Sequence, residues 1–168
     1  MIGLETESLI LRQWKNSDYP IFAEFYSVED IALYVGGVKT PEESWRLMAT
    51  YIGHYELNGF SYLAIAEKES GNLIGTIGLW KSHPWPEPEL GYWLLPKSQG
   101  KGFGVEAGLA VKKFALDKLK LNSLVSYIDP SNETSKKLAL RLGGKFDSNI
   151  QLLDFGNHEV YTDINKKE

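Results

Sequence analysis

Apolar and polar positions follow two different periods along this chain, and the change between them marks the predicted elements. Segments with the alternating or compact apolar pattern of β-strands lie at residues 8–14, 61–67, 73–80, 89–95, 123–129, 145–155 and 158–164. Apolar residues at helical spacing follow Asn16, Thr40, Gly104 and Asn132. The resulting order, β-α-α-β-β-β-α-β-α-β-β, predicts an α/β fold in which helices cover a central sheet.

The second predicted helix has the clearest boundaries. Thr40 is a favourable N-cap residue, Pro41 suits the first helical position, and acidic residues fill the first turn. Asn58-Gly59 supplies the residue type that commonly ends a helix. We therefore expect this helix to run from Pro41 to about Leu57.

Length and charge narrow the classes of function. With 168 residues and no repeat or linker, the chain is expected to form a single domain over residues 1–168. A net charge of -4 provides no basic surface for nucleic acid. The chain has neither the basic-then-apolar start of a signal peptide nor an apolar run of membrane-spanning length. We therefore expect a cytoplasmic location, no membrane contact and no nucleic-acid partner.

The chain contains no cysteine, which excludes structural disulfides, a thiolate nucleophile and cysteine-type zinc sites. Its three histidines, His54, His83 and His158, are far apart and lack the spacing of metal ligands. We therefore expect each histidine to be an ordinary surface or loop residue, and we expect no metal.

A glycine-rich loop between a predicted strand and a predicted helix carries the clearest chemical signal. Glycines stand at positions 100, 102 and 104, and without side chains their backbone N–H groups can converge on an anion. The helix that begins near Phe103 would add its unpaired amides and its dipole. Lys101 offers a positive charge at the same place. The loop therefore predicts a site for phosphate or pyrophosphate.

The spacing of the glycines distinguishes between three kinds of nucleotide loop. The Walker pattern is absent, because Gly102 follows Gly100-Lys101 and Leu95 stands where the leading glycine belongs. The Rossmann spacing also fails, and no early βαβ unit surrounds the loop. A third pattern, Gln or Arg followed by x-x-Gly-x and then Gly or Ala, is met in full by Gln99, Gly102 and Gly104.

Segments on both sides of the loop resemble a known family. Glu89-Leu90-Gly91-Tyr92 precedes the loop, and Pro130–Ser135 follows it after a helix and a strand. Together they resemble the Gcn5-related N-acetyltransferase (GNAT) superfamily, most closely its RimJ/RimL branch of ribosomal-protein N-terminal acetyltransferases. The resemblance covers nearly the whole chain, from Ser8–Arg12 through Leu73–Leu79 to Leu142-Gly143.

The resemblance implies a GNAT-type fold, with a mixed, mostly antiparallel central sheet, helices on both faces and a splayed strand pair that holds acyl-CoA. Residues 89–95 and 123–129 would form the splayed pair, with the acyl-pantetheine arm between them. Trp93, Leu94 and Leu95 would contact this arm, and Asn132 would touch the pantetheine. The pyrophosphate would be held by the loop residues Gln99, Gly100, Lys101, Gly102, Phe103 and Gly104.

The same resemblance implies the reaction, which is direct transfer of an acetyl group from acetyl-CoA to a primary amine. Ser135 matches a serine able to protonate the departing CoA thiolate. An alkylamine is mostly protonated at neutral pH, so a carboxylate base would help. Glu89, at the start of the splayed strand, is the candidate base, and Glu87 is a weaker alternative. Strand alternation places Tyr92 opposite Glu89, so we do not expect both to line one surface.

The sequence leaves the amine acceptor open between a protein or peptide N-terminus, a polyamine, an amino acid derivative and an aminoglycoside. Trp14, Trp80, Trp85 and Trp93 are near the expected acceptor side, although we expect most of these rings to belong to the core. Two other interpretations stay open: a non-catalytic acyl-CoA-binding or sensor domain, and a binder of a different phosphate ligand. The aromatic strands and the first helices are candidate surfaces for a homodimer.

Overall fold

The computed structural model describes residues 3–165, which form one sheet covered by helices. The strands of this part are β1 (Leu4–Glu5), β2 (Leu9–Arg12), β3 (Tyr62–Glu67), β4 (Leu73–Trp80), β5 (Glu89–Leu94), β6 (Ser123–Ile128), β7 (Lys145–Gln151) and β8 (Asn157–Asn165). The α-helices are α1 (Tyr19–Ser27), α2 (Glu29–Ala32), α3 (Pro41–Asn58), α4 (Phe103–Asp117) and α5 (Glu133–Arg141). None of these helices is long and apolar enough to cross a membrane.

The strands of the described residues lie side by side in the order β1-β2-β3-β4-β5-β6-β8-β7. Neighbouring strands are antiparallel except for β5 and β6, which are parallel. Antiparallel neighbours need only a short connection, whereas a parallel pair needs a crossover, and α4 supplies it. The mixed, mostly antiparallel sheet predicted from the sequence is therefore confirmed.

Two apolar cores lie on opposite faces of the sheet. One core joins Ala107 and Val111 of α4 to strand residues that include Leu90. The other core is aromatic and joins residues of α1 and α3, such as Phe22, to strand residues that include Trp93. Because successive strand residues point to opposite faces, Leu90 and Trp93 of one strand belong to different cores. Helices therefore cover both faces, as the resemblance implied.

The boundaries of α3 agree with the sequence signals. The hydroxyl of Thr40 accepts a hydrogen bond from the N–H of Glu43 at 3.2 Å, and the N–H of Thr40 donates to the Glu43 carboxylate at 2.8 Å. This reciprocal pair satisfies two N–H groups that a helix start leaves unpaired. Gly59 has a φ of 76° and ends the helix after Asn58, one residue later than expected.

Asp18 is the N-cap residue of the first helix, but its side chain does not cap the helix because it is used elsewhere. Its carboxylate accepts hydrogen bonds from the Arg12 guanidinium at 2.7 and 2.8 Å and from the N–H of Lys15 at 2.8 Å. The chain therefore makes a short 3-10 turn over Asn16–Asp18, and α1 begins at Tyr19. The elements β1 and α2 were not predicted, since two and four residues are too few to establish a period.

The last hairpin has a longer turn than the sequence suggests. The strand expected over residues 145–155 ends at Gln151, because the N–H of Leu152 donates to the carbonyl of Gly156 at 2.9 Å and closes a turn. This turn carries Leu153 and Phe155 to the edge of the gap between β5 and β6, where they line a cavity.

Candidate active site

The parallel strands β5 and β6 separate almost as soon as they meet. Glu89 and Val125 form their single ladder pair in the described part of the chain, and the N–H of Val125 donates to the carbonyl of Pro88 at 3.0 Å. One residue further, a side chain makes the connection, because the Ser126 hydroxyl donates to the carbonyl of Leu90 at 2.9 Å. The two strands are therefore splayed, and the facing backbone edges beyond this point are open to a ligand.

A cavity of about 520 Å³ occupies this gap. Five consecutive residues of β5, from Glu89 to Trp93, line it, together with residues of β6 and of the segment after β6. Successive residues of a strand point to opposite faces of the sheet. Such residues can line one cavity only if the cavity lies along the edge of the strand rather than against one face. Glu89 and Tyr92 therefore share this cavity, and the expectation that they could not was wrong.

Glu89 is a carboxylate buried inside the cavity wall, with 9% of the residue exposed. Burial raises the pKa of its carboxyl from the ordinary 4.5 to about 7, because removal from water disfavours the charged form. The polar hydrogens of the Trp85 indole, the Tyr127 backbone N–H and the Tyr62 hydroxyl oppose this rise in pKa, although the buried Nε1 of Trp85 completes no hydrogen bond with a described residue. Such a group is close to half ionised at neutral pH, which suits a general base.

Tyr62 of β3 contacts Glu89 from the neighbouring part of the sheet, and no sequence motif pointed to this residue. Its ring stacks on Trp80 with centroids 5.5 Å apart, and Trp80 stacks on His54 at 4.1 Å. His54 is buried, its Nδ1 bonds to the carbonyl of Phe60 at 2.8 Å, and its Nε2 accepts from the N–H of Lys81 at 3.2 Å. His54 is therefore a support between α3 and the sheet, not the surface or loop residue that we expected.

Asn132 and Ser135 also line the cavity, at the start of α5. The Asn132 Oδ1 accepts from the N–H of Ser135 at 3.2 Å, and its Nδ2 donates to the Ser135 hydroxyl oxygen at 2.9 Å. The Tyr92 hydroxyl donates to the Ser135 carbonyl at 3.0 Å. Asn132 is thus an N-cap residue, and the same amide orients the Ser135 hydroxyl within the cavity.

The three residues expected to contact the pantetheine arm lie in different surroundings. Trp93 lines the cavity, but its ring is buried and stacks on Phe25 with centroids 3.8 Å apart. Leu94 and Leu95 lie beyond the cavity, between it and the glycine loop. The carbonyl of Leu94 accepts a hydrogen bond from the Gln99 side chain at 3.1 Å. The N–H of Leu95 donates a hydrogen bond to the carbonyl of Ile74 at 2.9 Å. These two residues connect the cavity to the loop.

The glycine loop lies outside the cavity, at the start of α4. Gly100 and Gly102 have φ values of 73° and 85°, and a Cβ at either position would meet nothing within 4 Å. The loop therefore needs glycine for its backbone and presents an open surface in front of a helix N-terminus, where unpaired N–H groups favour an anion. Gly104 differs, because a Cβ there would lie 2.9 Å from the Leu138 side chain. A glycine at position 104 therefore also allows α4 to pack closely against Leu138 of α5.

The arrangement has a counterpart among known proteins. Residues 8–145 match the family model described as the acetyltransferase (GNAT) domain. The chain belongs to the GNAT family of acetyltransferases. The family resemblance drawn from the sequence is confirmed, and so is the expectation that the chain is an acetyltransferase.

Individual GNAT relatives cover nearly the full chain. An acetyltransferase from Agrobacterium tumefaciens is 31% identical, with a TM-score of 0.88 over 96% of this chain and 94% of the other. An uncharacterized N-acetyltransferase of Bacillus subtilis, YoaA, is 28% identical over 94% of this chain and 91% of its own. RimL, a ribosomal alpha-N-protein acetyltransferase solved with coenzyme A, is 15% identical with a TM-score of 0.82, over 99% of this chain and 100% of the other. This last likeness concerns the fold alone.

Proposed function

We propose that this GNAT acetyltransferase uses acetyl-CoA as its donor and moves the acetyl group to a primary amine, with Glu89 as the general base. The observation that carries this proposal is a buried carboxylate with a pKa of about 7 in a cavity between two splayed strands. A base that is ionised near the working pH, yet basic enough to take a proton from an amine, meets the requirement of the reaction.

The residues of the glycine loop and of the cavity fit acetyl-CoA. The open loop at Gly100 and Gly102, in front of α4, would hold the pyrophosphate. Gln99, Lys101, Phe103 and Gly104 complete this loop, and Leu94 and Leu95 lie on the way from it to the cavity. The edges of β5 and β6 that face each other have no ladder pairing after Glu89 and Val125, and their backbone groups would bind the amide groups of the pantetheine arm. The fold shared with RimL in its complex with coenzyme A supports the same placement.

Acetyl-CoA supplies a thioester that is already activated, so the protein has to align the amine and move protons. The amine nitrogen forms the new bond to the acetyl carbon while the carbon–sulfur bond breaks. Glu89 takes the proton that the nitrogen loses, directly or through a water molecule. The Ser135 hydroxyl, oriented by Asn132, gives a proton to the departing sulfur and takes one back from water, and the proton held by Glu89 is released to water.

The experiment is a comparison of Glu89→Gln with Glu87→Gln in a coupled assay that measures CoA release with a panel of primary amines. The Glu87 carboxylate accepts a hydrogen bond from the Ser123 hydroxyl and does not line the cavity, so Glu87→Gln is the matched control. We expect Glu89→Gln to lower kcat by about 10²–10⁴-fold, the usual contribution of a general base, with Glu87→Gln near wild type. Tight binding of acetyl-CoA without turnover on any amine would favour a sensor domain instead.

A further inference from the structure

The cavity wall on the face of α1 and α3 is aromatic and carries no formal charge. Its rings belong to Tyr26, Tyr51, Tyr62 and Trp80, and Trp85 adds a ring from the segment between β4 and β5. Tyr51 lies 5.1 Å from Tyr62 between ring centroids, and both hydroxyls have a pKa raised well above the ordinary value by burial. These hydroxyls therefore stay neutral at any working pH. The wall offers ring faces and hydroxyl groups to the acceptor, but no anion.

Few charged side chains line the cavity, and they differ in the hydrogen bonds that they already make. Apart from tyrosines, the ionisable residues that line it are Lys39, Glu89, Asp129 and His158. The Asp129 carboxylate accepts hydrogen bonds from the N–H and the hydroxyl of Ser131 at 2.9 and 2.6 Å, and these bonds lower the pKa of that carboxyl. Asp129 is thus an ionised carboxylate held by Ser131, and the charge of His158 beside it also lowers its pKa. Glu89 is the buried carboxylate of the cavity.

Lys39 places a cation of the protein itself beside the aromatic wall. Its Nζ lies 5.7 Å from the centroid of the Tyr26 ring and donates to the carbonyl of Gly36 at 3.2 Å. The backbone N–H of Lys39 donates to the carbonyl of Tyr26 at 2.9 Å, which ties this segment to α1.

Of the acidic residues that follow Lys39, Glu42 pairs with Arg46 at 2.7 Å and Glu43 caps α3, and neither lines the cavity. The pKa of the Glu43 carboxyl is lowered first by the N–H of Thr40 and also by the charge of Lys39. Lys39 therefore adds a positive charge beside the aromatic wall, and the carboxylates that share the cavity with it are Glu89 and Asp129.

Exposed apolar and aromatic side chains lie at the mouth of the cavity. Tyr34 stands on one side with 42% of its surface exposed, and Leu153 and Phe155 stand on the other with 38% and 60% exposed. The centroid of the Phe155 ring lies 5.6 Å from that of the Trp85 ring, so the mouth is in contact with an aromatic ring that lies near Glu89. An acceptor whose amine reaches Glu89 has its body against this surface.

We propose that the acceptor is a primary monoamine with an apolar or aromatic body, and that Lys39 excludes acceptors that carry a second cation. This inference rests on the proposed function. The single charge of a monoamine is lost at Glu89, whereas polyamines and aminoglycosides keep further ammonium groups. Those groups would have to leave water for an uncharged wall and would be repelled by Lys39, which is costly for an unpaired charge.

The test compares heptylamine with 1,6-diaminohexane, which has the same length but carries an ammonium group in place of the terminal methyl. We expect kcat/KM for heptylamine to exceed that for the diamine by at least about tenfold in the wild-type protein, with 2-phenylethylamine also accepted. Equal kcat/KM values, or a preference for the diamine, would overturn this inference and leave the proposed acetyl transfer intact. The absence of turnover with every amine would count against the proposed function itself.

Charge reversal at Lys39 tests the residue assignment. Lys39→Glu places a carboxylate near the aromatic wall, and we expect it to reduce the preference for heptylamine to about threefold or less, or to reverse it. The control is Lys118→Glu, which makes the same change of net charge at an exposed residue after α4, outside the cavity. An unchanged preference in a folded Lys39→Glu protein, or an equal shift in Lys118→Glu, would refute the role of Lys39.

Discussion

The hydroxyl of Tyr62 lies so close to Gly91 that a Cβ added at position 91 would stand 2.5 Å from the phenol oxygen. Gly91 follows Glu89 by two residues on β5, so both positions belong to the same face of the strand. The ring can therefore reach the buried carboxylate only because position 91 has no side chain. This contact gives a structural reason for the glycine in the segment Glu89-Leu90-Gly91-Tyr92.

Removal of the Tyr62 hydroxyl should change the pH dependence of the reaction. That hydroxyl lowers the pKa of Glu89, so Tyr62→Phe should raise this pKa above about 7. A general base works only when ionised, and the wild-type kcat/KM should therefore fall as the pH drops below about 7. In Tyr62→Phe the inflection of the pH–rate profile should move to higher pH, and in Glu89→Gln it should disappear. An inflection that persists in Glu89→Gln would assign it to another group.

Gly91→Ala should have a similar but larger effect, because it displaces the whole ring rather than one oxygen atom. We expect kcat to fall at least about tenfold, as for a misplaced catalytic group. Gly53→Ala in α3 is a suitable control, since a Cβ at position 53 would meet nothing within 4 Å. A Gly91→Ala protein with normal kcat would show that the contact between Tyr62 and Glu89 does not matter for the reaction.

Burial of Glu89 also predicts how stability depends on pH. The pKa is 4.5 in the unfolded chain and about 7 in the fold, so between these values the folded state binds more protons than the unfolded state. The free energy of unfolding therefore falls as the pH rises through this window. Glu89→Gln removes the effect. Relative to wild type, the variant should gain on the order of 3 kcal/mol at pH 8 and almost nothing at pH 4, measured by denaturant unfolding at both values. Equal differences at the two values would contradict the raised pKa.

Local signals were sufficient for much of the fold and for part of the site. The ends of α3 and the whole of β4 follow from caps, glycines and alternation, and Glu89 could be selected as a carboxylate at the start of a strand. Tyr62 and Lys39 could not be selected, because they come from distant parts of the chain. Their relevance depends on strand register and on the packing of α1 and α3 over the gap.

Local sequence signals also could not predict that β5 and β6 separate. Alternation along β5 assigned Glu89 and Tyr92 to opposite faces, which is correct for a strand with neighbours on both edges. It did not indicate that one edge would be left open, so that residues of both faces would line one cavity. The family resemblance predicted this opening, whereas local periodicity alone could not.

The glycine loop allows a closely matched test of acetyl-CoA binding. Gly100 and Gly71 have φ values of 73° and 72°, and a Cβ at either position would meet nothing within 4 Å. Gly100→Val and Gly71→Val should therefore lose similar amounts of stability through the same backbone strain. Only Gly100→Val should weaken acetyl-CoA binding, by at least about tenfold, because its side chain stands in the proposed pyrophosphate site.

A thermal-shift titration separates the two effects in these glycine variants. Saturating acetyl-CoA should raise the Tm of wild type and of Gly71→Val, and it should raise the Tm of Gly100→Val much less, since a ligand stabilises only the state that binds it. An equal increase of Tm in both variants would remove the loop from the binding site.

Asn132 performs two tasks with two different atoms, and the tasks can be separated. Its Oδ1 caps α5, and its Nδ2 holds the Ser135 hydroxyl. Asn132→Asp keeps the capping oxygen and loses the donor, so it should stay close to wild type in stability and lower kcat about tenfold or more. Asn132→Ala loses both atoms and should also lose about 1 kcal/mol of stability.

The double variant of Asn132→Asp with Ser135→Ala decides whether the amide acts through Ser135. If it does, Ser135→Ala alone should lower kcat as much as the double variant, because the second change removes an interaction that the first has already abolished. Fully additive losses would show that Asn132 acts on the reaction independently of Ser135. A normal kcat in Ser135→Ala would exclude Ser135 as the proton donor to the leaving sulfur and would leave Asn132 with its role at the start of α5.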